Sequence, residues 1–227
     1  MNKPIALIFQ QETSSSGRIG PHLRTLDREA ITVYPLQGEP LPSPETIGGA
    51  VIFGGPMSVN DEHLDGIRDQ LAWVPDVVRA EVPFLGICLG GQMLAKSMGG
   101  TVGPHPVGLS QIGYTEISPT TQSDGFLNAP HRFYQWHSEG FTLPTGSTHL
   151  GTCPTYPNQA FCLNAKTYGV QFHPEVNREM MDSWLSEASE QLKFPGAQTR
   201  DVQFSHADEW MDRIDEWMMG FMKNLFN

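Results

Sequence analysis

Three cysteines in 227 residues, Cys88, Cys153 and Cys162, are too few and too scattered for a disulfide framework or a zinc cluster. A reduced, cytoplasmic setting is expected, in which a free thiol can do chemistry. Positive charge is scarce as well: 14 Lys and Arg stand against 25 Asp and Glu, a formal net charge of −11. That balance argues against an electrostatic hold on nucleic acid or on an anionic membrane. No apolar run approaches the ~20 residues that span a bilayer. The short apolar stretch ending at Phe9 reads as a first strand, not a signal peptide. Internal repeats, low-complexity tracts and a Walker-type phosphate loop are missing too. What remains is 39% apolar content, enough for a substantial core.

The first part of the chain alternates strand and helix. Residues 5–9 read as a strand, 19–29 as a helix, and 31–34 and 50–53 as strands. A helix is expected over 64–80, with Leu64, Ile67, Leu71, Val74 and Val78 on one stripe and a kink or split at Pro75. Residues 84–87 form a fourth strand. Such alternation predicts an α/β fold, a mainly parallel sheet with helices on both faces. From 101 to 172 the pattern shifts to short strands, at 111–117, 133–137, 148–150, 159–163 and 167–172. Part of this set should form a small antiparallel sheet at the flank. A helix over 177–192, a break at Pro195-Gly196-Ala197 and a last helix over 205–225 follow. Trp210, Ile214, Trp217, Met218, Phe221 and Leu225 share one face of that last helix, which should pack on its own domain. The expected organisation is one domain over 1–194 with a C-terminal helical extension over 195–227 packed on it.

Chemistry concentrates at two points. The apolar run Val82-Pro83-Phe84-Leu85 stops at Gly86-Ile87-Cys88-Leu89-Gly90, and Gln92 onward reads as a helix closed by Gly99-Gly100. A reactive side chain on a tight strand-to-helix turn is a nucleophile elbow, and glycines at 86 and 90 leave room for it. The helix N-terminus beside the thiol favours developing negative charge. Far along the chain, Thr167-Tyr168-Gly169-Val170-Gln171-Phe172 ends in His173-Pro174-Glu175. In extended backbone, residues two apart share a face, so Glu175 could hold one nitrogen of His173 while the other faces Cys88.

Gly86-Ile87-Cys88-Leu89-Gly90-Gly91-Gln92 and Gln171-Phe172-His173-Pro174-Glu175 resemble the nucleophile and base motifs of the class I (triad-type) glutamine amidotransferases. Ile52-Phe53-Gly54-Gly55-Pro56-Met57-Ser58 is similar to that family's Gly-Gly-Pro turn, and the three motifs come in family order. The likeness runs from about residue 4 to 184, and the segments 134–138 and 157–161 look more like free-standing members than like the domain fused to a nucleotide synthetase. The resemblance implies a flavodoxin-like three-layer fold and a Cys88, His173, Glu175 triad. It implies an oxyanion hole from the backbone N–H groups of Gly55 and Leu89. Gly54, Gln92, Ser138 and Glu139 would contact substrate, the last two mainly through backbone. No metal and no cofactor is expected. His137 reads as structural rather than as a second base. Gln111 stands where free-standing relatives usually carry glutamate. The loop over 10–17 either shapes the substrate site or is a plain solvated connection.

Three readings follow. The first is hydrolysis of the γ-carboxamide of glutamine through a γ-glutamyl thioester, with ammonia passed to a separate synthase, because this chain has no phosphate loop for ATP-driven amination. The second is a γ-glutamyl peptidase or transferase acting on larger γ-glutamyl amides. Both use the same thioester, and only pocket size around the leaving group separates them. The third is a non-catalytic partner-binding protein, which has no need of all three triad residues.

Overall fold

The inner parallel strands of the central sheet send alternate residues into two separate cores, the physical signature of a sheet covered on both faces. The computed structural model describes residues 3–227; Met1 and Asn2 lie outside the described residues. The elements run β1 (Ile5–Ile8), α1 (Ile19–Thr25), β2 (Ala30–Val33), β3 (Gly49–Ile52), α2 (Asp65–Arg79), β4 (Phe84–Ile87) and α3 (Leu89–Ser97). Then come β5 (Val102–Pro104), β6 (Gln111–Pro119), β7 (His131–His137), β8 (Glu139–Phe141), β9 (Thr148–Thr152), β10 (Ala160–Asn164), β11 (Thr167–Val170), α4 (Arg178–Glu187) and α5 (Arg200–Phe226). Ile5, Leu7, Val51, Leu85 and Ile87 face one core, shared with α1, α4 and α5. Ala6, Ile8, Ala50, Ile52 and Phe84 face the other, shared with α2 and α3. The wholly apolar strands of the sequence follow from this double burial.

Among the described residues the sheet has nine strands, in the order β2-β1-β3-β4-β11-β10-β9-β6-β7. Pairing is parallel from β2 to β11 and antiparallel from there to β7. Most of the expected antiparallel strands therefore extend the main sheet, and only β5 and β8, which the sequence reading did not find, form a separate pair. Both are three-residue strands, too short to show a period.

Several boundaries move for identifiable reasons. The first helix ends at Thr25 rather than 29, because Asp27 turns to φ 53 and reverses the chain into β2. The helix around Pro75 is unbroken. Proline has no N–H for the carbonyl of Leu71, and the Ser97 hydroxyl of α3 donates to that oxygen instead, at 3.0 Å. In α2, Ile67 and Val74 are buried with Trp73 and Val77, while Leu64, Leu71 and Val78 are partly buried against the same core. The helix expected over 177–192 is capped by the Asn177 side chain on the Met180 N–H (2.9 Å), ends at Glu187 and gives way to a 3-10 turn. The last helix begins at Arg200, five residues earlier than the pattern suggested.

Helix α5 buries Met211, Ile214, Met218, Met222, Leu225 and Phe226 against the sheet. Its Trp217 indole donates to the Phe126 carbonyl at 2.8 Å. Phe226 reaches β3 so closely that a Cβ on Gly49 would lie 2.7 Å from its ring. No helix among the described residues is long and apolar enough to cross a membrane. Since Met218 is fully buried, Met218→Ala should cost ~2–5 kcal/mol in urea unfolding. A loss under ~1 kcal/mol, or α5 melting ahead of the sheet, would mean that the helix is an appendage to the core rather than part of it.

Candidate active site

The turn from β4 to α3 is a single residue long. Cys88 follows Ile87 and precedes Leu89, and its backbone takes φ 51 and ψ −106, a region that L residues other than glycine avoid. Strain of this kind costs ~1–3 kcal/mol and persists only where neighbours over-determine it. Here the Cys88 N–H donates to the Val170 carbonyl at 2.8 Å, and the Cys88 carbonyl accepts from the Gln92 N–H at 2.9 Å. The helix is jammed against the neighbouring strand: a Cβ on Gly90 would lie 2.1 Å from the Ile52 carbonyl oxygen. Leu89 is the first helical residue, so its N–H has no acceptor within α3.

His173 reaches the same sheet edge from β11. The parallel register pairs Gly86 with Gly169 and Ile87 with Val170, so the chain leaving β11 emerges beside Cys88. The strand stops at Val170, and His173 sits in the irregular segment beyond it, its N–H on the Tyr134 carbonyl at 2.8 Å. The alternation of an extended strand is thus not what brings His173 and Glu175 together; a turn after the strand does. His173 Nδ1 and Glu175 Oε1 are 2.7 Å apart, and both side chains are buried. A Cβ on Gly54 would lie 2.7 Å from His173 Cε1 and 3.4 Å from Cys88 Cβ, which puts all three residues in one contact. Trp184 packs edge-on against the imidazole, with centroids 5.0 Å apart. Burial works against a charged imidazole, but the Glu175 carboxylate and the Cys88 sulfur outweigh it, and the His173 pKa is raised.

The remaining predicted residues surround this contact. A Cβ on Gly55 would lie 2.7 Å from Gln10 Cβ and 3.4 Å from Leu89 Cδ2, so the two expected oxyanion donors are neighbours. The buried Gln92 amide donates to the Glu139 carbonyl at 3.1 Å and to the Gln171 side-chain oxygen at 3.2 Å. Gln171 in turn donates to Cys88 Sγ at 3.6 Å. Gln171 lies within the base motif, but beyond the end of β11 no sequence period marked it for this role. The Glu139 carboxylate accepts from the Ser58 hydroxyl at 2.8 Å. Ser138 has an exposed side chain, and its carbonyl accepts from the Tyr156 hydroxyl at 2.8 Å. Gln92, Glu139 and Gln171 therefore converge, whereas Ser138 stands at the rim.

His137 is buried with Nδ1 facing the Glu139 carbonyl at 2.9 Å and Nε2 facing the amides of Gln111 and Gln135 at 3.1 Å each. Burial pushes its pKa down to about 3. Gln111 also bonds Cys153 Sγ and the Gln159 amide. A neutral amide at 111 thus sits beside a neutral ring in a cluster of glutamines. The cluster braces the Glu139 carbonyl from behind.

The family model for glutamine amidotransferase class-I matches residues 22–189. GMP synthase [glutamine-hydrolyzing] from Aeropyrum pernix is 37% identical over 157 residues, 66% of this chain. The corresponding protein of Thermobifida fusca is 35% identical over 148 residues, 61% of this chain. The chain spans only 28% and 26% of the length of those two relatives. Among solved structures, a glutamine amido transferase from Methylobacillus flagellatus is 28% identical with a TM-score of 0.92, covering 99% of this chain and 96% of that one. A glutamine amidotransferase from Thermotoga maritima, 24% identical, shares the fold at a TM-score of 0.88 over 100% of both chains.

The depressed pKa of His137 has a consequence for stability. The unfolded chain takes up a proton on this ring near its ordinary value of 6.5, and the folded chain does so only at about 3. Folding stability should therefore fall as pH drops from about 6.5 toward 3. In urea titrations at a series of pH values, His137→Gln should lose part of that slope. A slope identical to that of the parent protein would show that His137 does not contribute.

Proposed function

This chain belongs to the glutamine amidotransferase class-I family, and from that premise we propose that it hydrolyses the γ-carboxamide of glutamine through a γ-glutamyl thioester on Cys88. Ammonia would pass to a separate acceptor or synthase. The observation that carries this reading is the strained Cys88 turn in contact with an imidazole whose far nitrogen is held by Glu175 at 2.7 Å. A raised His173 pKa makes the ring a stronger base toward the nucleophile.

Attack on the carboxamide carbon gives a tetrahedral oxyanion. The N–H groups of Leu89 and Gly55 would bind it, each donor contributing a factor of ~100–1,000 in rate. The imidazolium of His173 then protonates the departing nitrogen, the C–N bond breaks, and ammonia leaves with the thioester formed. Water enters, gives a proton to the now neutral His173, and attacks the thioester carbonyl. Collapse of that second oxyanion breaks the C–S bond and frees glutamate and the thiolate. Glu175 keeps the imidazole oriented and balances its charge throughout. Gln92 and the backbone of Ser138 and Glu139, together with Gly54, would hold the amino-acid end of the substrate.

One observation favours the second reading, cleavage of larger γ-glutamyl amides. An open groove of about 470 Å³ is lined by Gln10, Gln11, Glu12, Thr13, Leu36 and Met57. It begins at Gln10, which abuts Gly55, and it lies beyond the carboxyl ends of β1, β2 and β3. Ammonia needs no such space, whereas an amine or peptide leaving group does.

The test is incubation of the purified protein with glutamine and a panel of γ-glutamyl amides, with glutamate, ammonia and free amine measured. Faster turnover of glutamine supports the first reading, and faster turnover of bulky amides the second. Cys88→Ala and His173→Ala should each lower kcat at least ~10³-fold, and Glu175→Gln less. Undiminished turnover by Cys88→Ala would rule out the thioester route.

A further inference from the structure

The segment between β1 and α1 packs against the backbone of Glu175. Gly17 has φ 51, and a Cβ there would lie 2.0 Å from the Glu175 carbonyl oxygen, so only glycine lets the loop press so closely. The next residue, Arg18, donates its backbone N–H to that same oxygen at 2.9 Å. Its side chain is buried, at 8% exposure, an unusual place for a guanidinium. The guanidinium donates to the Val176 carbonyl, meets the Met211 carbonyl of α5 at 3.4 Å and pairs with Asp215 of α5 at 3.2 Å.

Glu175 needs such support. One carboxylate oxygen is taken by His173, and the other, Oε2, is buried with no hydrogen-bond partner among the described residues. A buried carboxylate is stabilised by nearby positive charge. Burial lowers the Arg18 pKa, with Asp215 and then Tyr114 and Glu175 acting the other way, and the guanidinium stays a cation.

Resting on the reading that Cys88, His173 and Glu175 act together, we propose that Arg18 is a positioning residue for Glu175. Its backbone N–H and guanidinium hold the consecutive carbonyls of Glu175 and Val176, and its charge, anchored by Asp215, stands behind the carboxylate that orients His173. Helix α5 is thereby wired to the relay. The charged and titratable groups around Arg18 are Asp215 and Asp212 of α5, Tyr114 of β6 and Glu175 itself, with His22 of α1 sharing Asp215 at 3.1 Å. Those around His173 are Cys88, Glu175 and His137.

A strut that merely tied α5 to the loop would alter stability alone. A charge acting on the relay must also move its pH dependence. Losing a nearby cation makes every anion in the site harder to form, so ionisation shifts to higher pH; losing Asp215 leaves Arg18 uncompensated and shifts it lower.

The experiment follows Cys88 alkylation by iodoacetamide against pH, read by mass spectrometry on the Cys88 peptide, in the full chain and in R18M, R18K and D215N. Steady-state turnover of whichever amide the parent protein cleaves is measured beside it. R18M should raise the alkylation midpoint by about half a pH unit or more and lower kcat roughly tenfold with little change in KM. R18K, which keeps the charge, should restore the midpoint. D215N should move it the other way. Should R18M fail to fold by thermal denaturation, D215N, whose carboxylate is half-exposed, decides the matter by itself. Midpoints unchanged in every folded variant, or R18K behaving as R18M, would overturn the assignment. If the parent turns over no amide, the functional reading fails, and the alkylation midpoints still report on the Arg18 charge.

Discussion

Everything at the candidate site depends on a strand-to-helix turn that is one residue long. Compressing the link between β4 and α3 into Cys88 forces that residue to φ 51, and it holds only because the flanking glycines let α3 lie directly on β3 and β11. The geometry presents the buried sulfur at the carboxyl end of the sheet, brings the first helical N–H beside it, and sets Gln92 one turn away. A longer connection would relax the backbone and lose all three.

The parallel half of the sheet then supplies the partners. Strands β3, β4 and β11 lie side by side and end at the same edge, so the Gly-Gly-Pro turn, Cys88 and the His-Pro-Glu segment leave the sheet at adjacent points. This is the general logic of open parallel sheets, in which chemistry gathers beyond the carboxyl ends of the strands. Behind this edge, two supports of opposite character hold the groups in line. On one side, His137 and the amides of Gln111, Gln135 and Gln159 form an uncharged network that braces the Glu139 carbonyl. On the other, Arg18 and Asp215 form a charged one behind Glu175. The neutral network tolerates full burial at little electrostatic cost, while the charged one keeps its acidic end half-exposed.

The two supports differed in how readable they were. His137 was legible as structural because it lies inside a motif segment, and Gln111 as a departure from the family at a single position. Arg18 was not legible, because its partners Val176, Met211 and Asp215 lie more than 150 residues away along the chain and share no pattern with it. Pro75 shows the same limit. Its effect on α2 depends on whether some group fills the vacated carbonyl of Leu71, and that group, Ser97, comes from another helix.

By itself, the sequence determined the alternating strands and helices, the family, and the three residue types at the centre of the site, because local periodicity and short motifs are properties of neighbours in the chain. Only the tertiary structure decided that the antiparallel strands lengthen the main sheet, that β11 stops short of His173, that Gln171 bridges Gln92 to the sulfur, and that Arg18 ties α5 to the segment at Glu175 and Val176. Those outcomes turn on which distant groups compete for the same buried hydrogen-bond partners. That competition is settled by packing, after local preference has been spent.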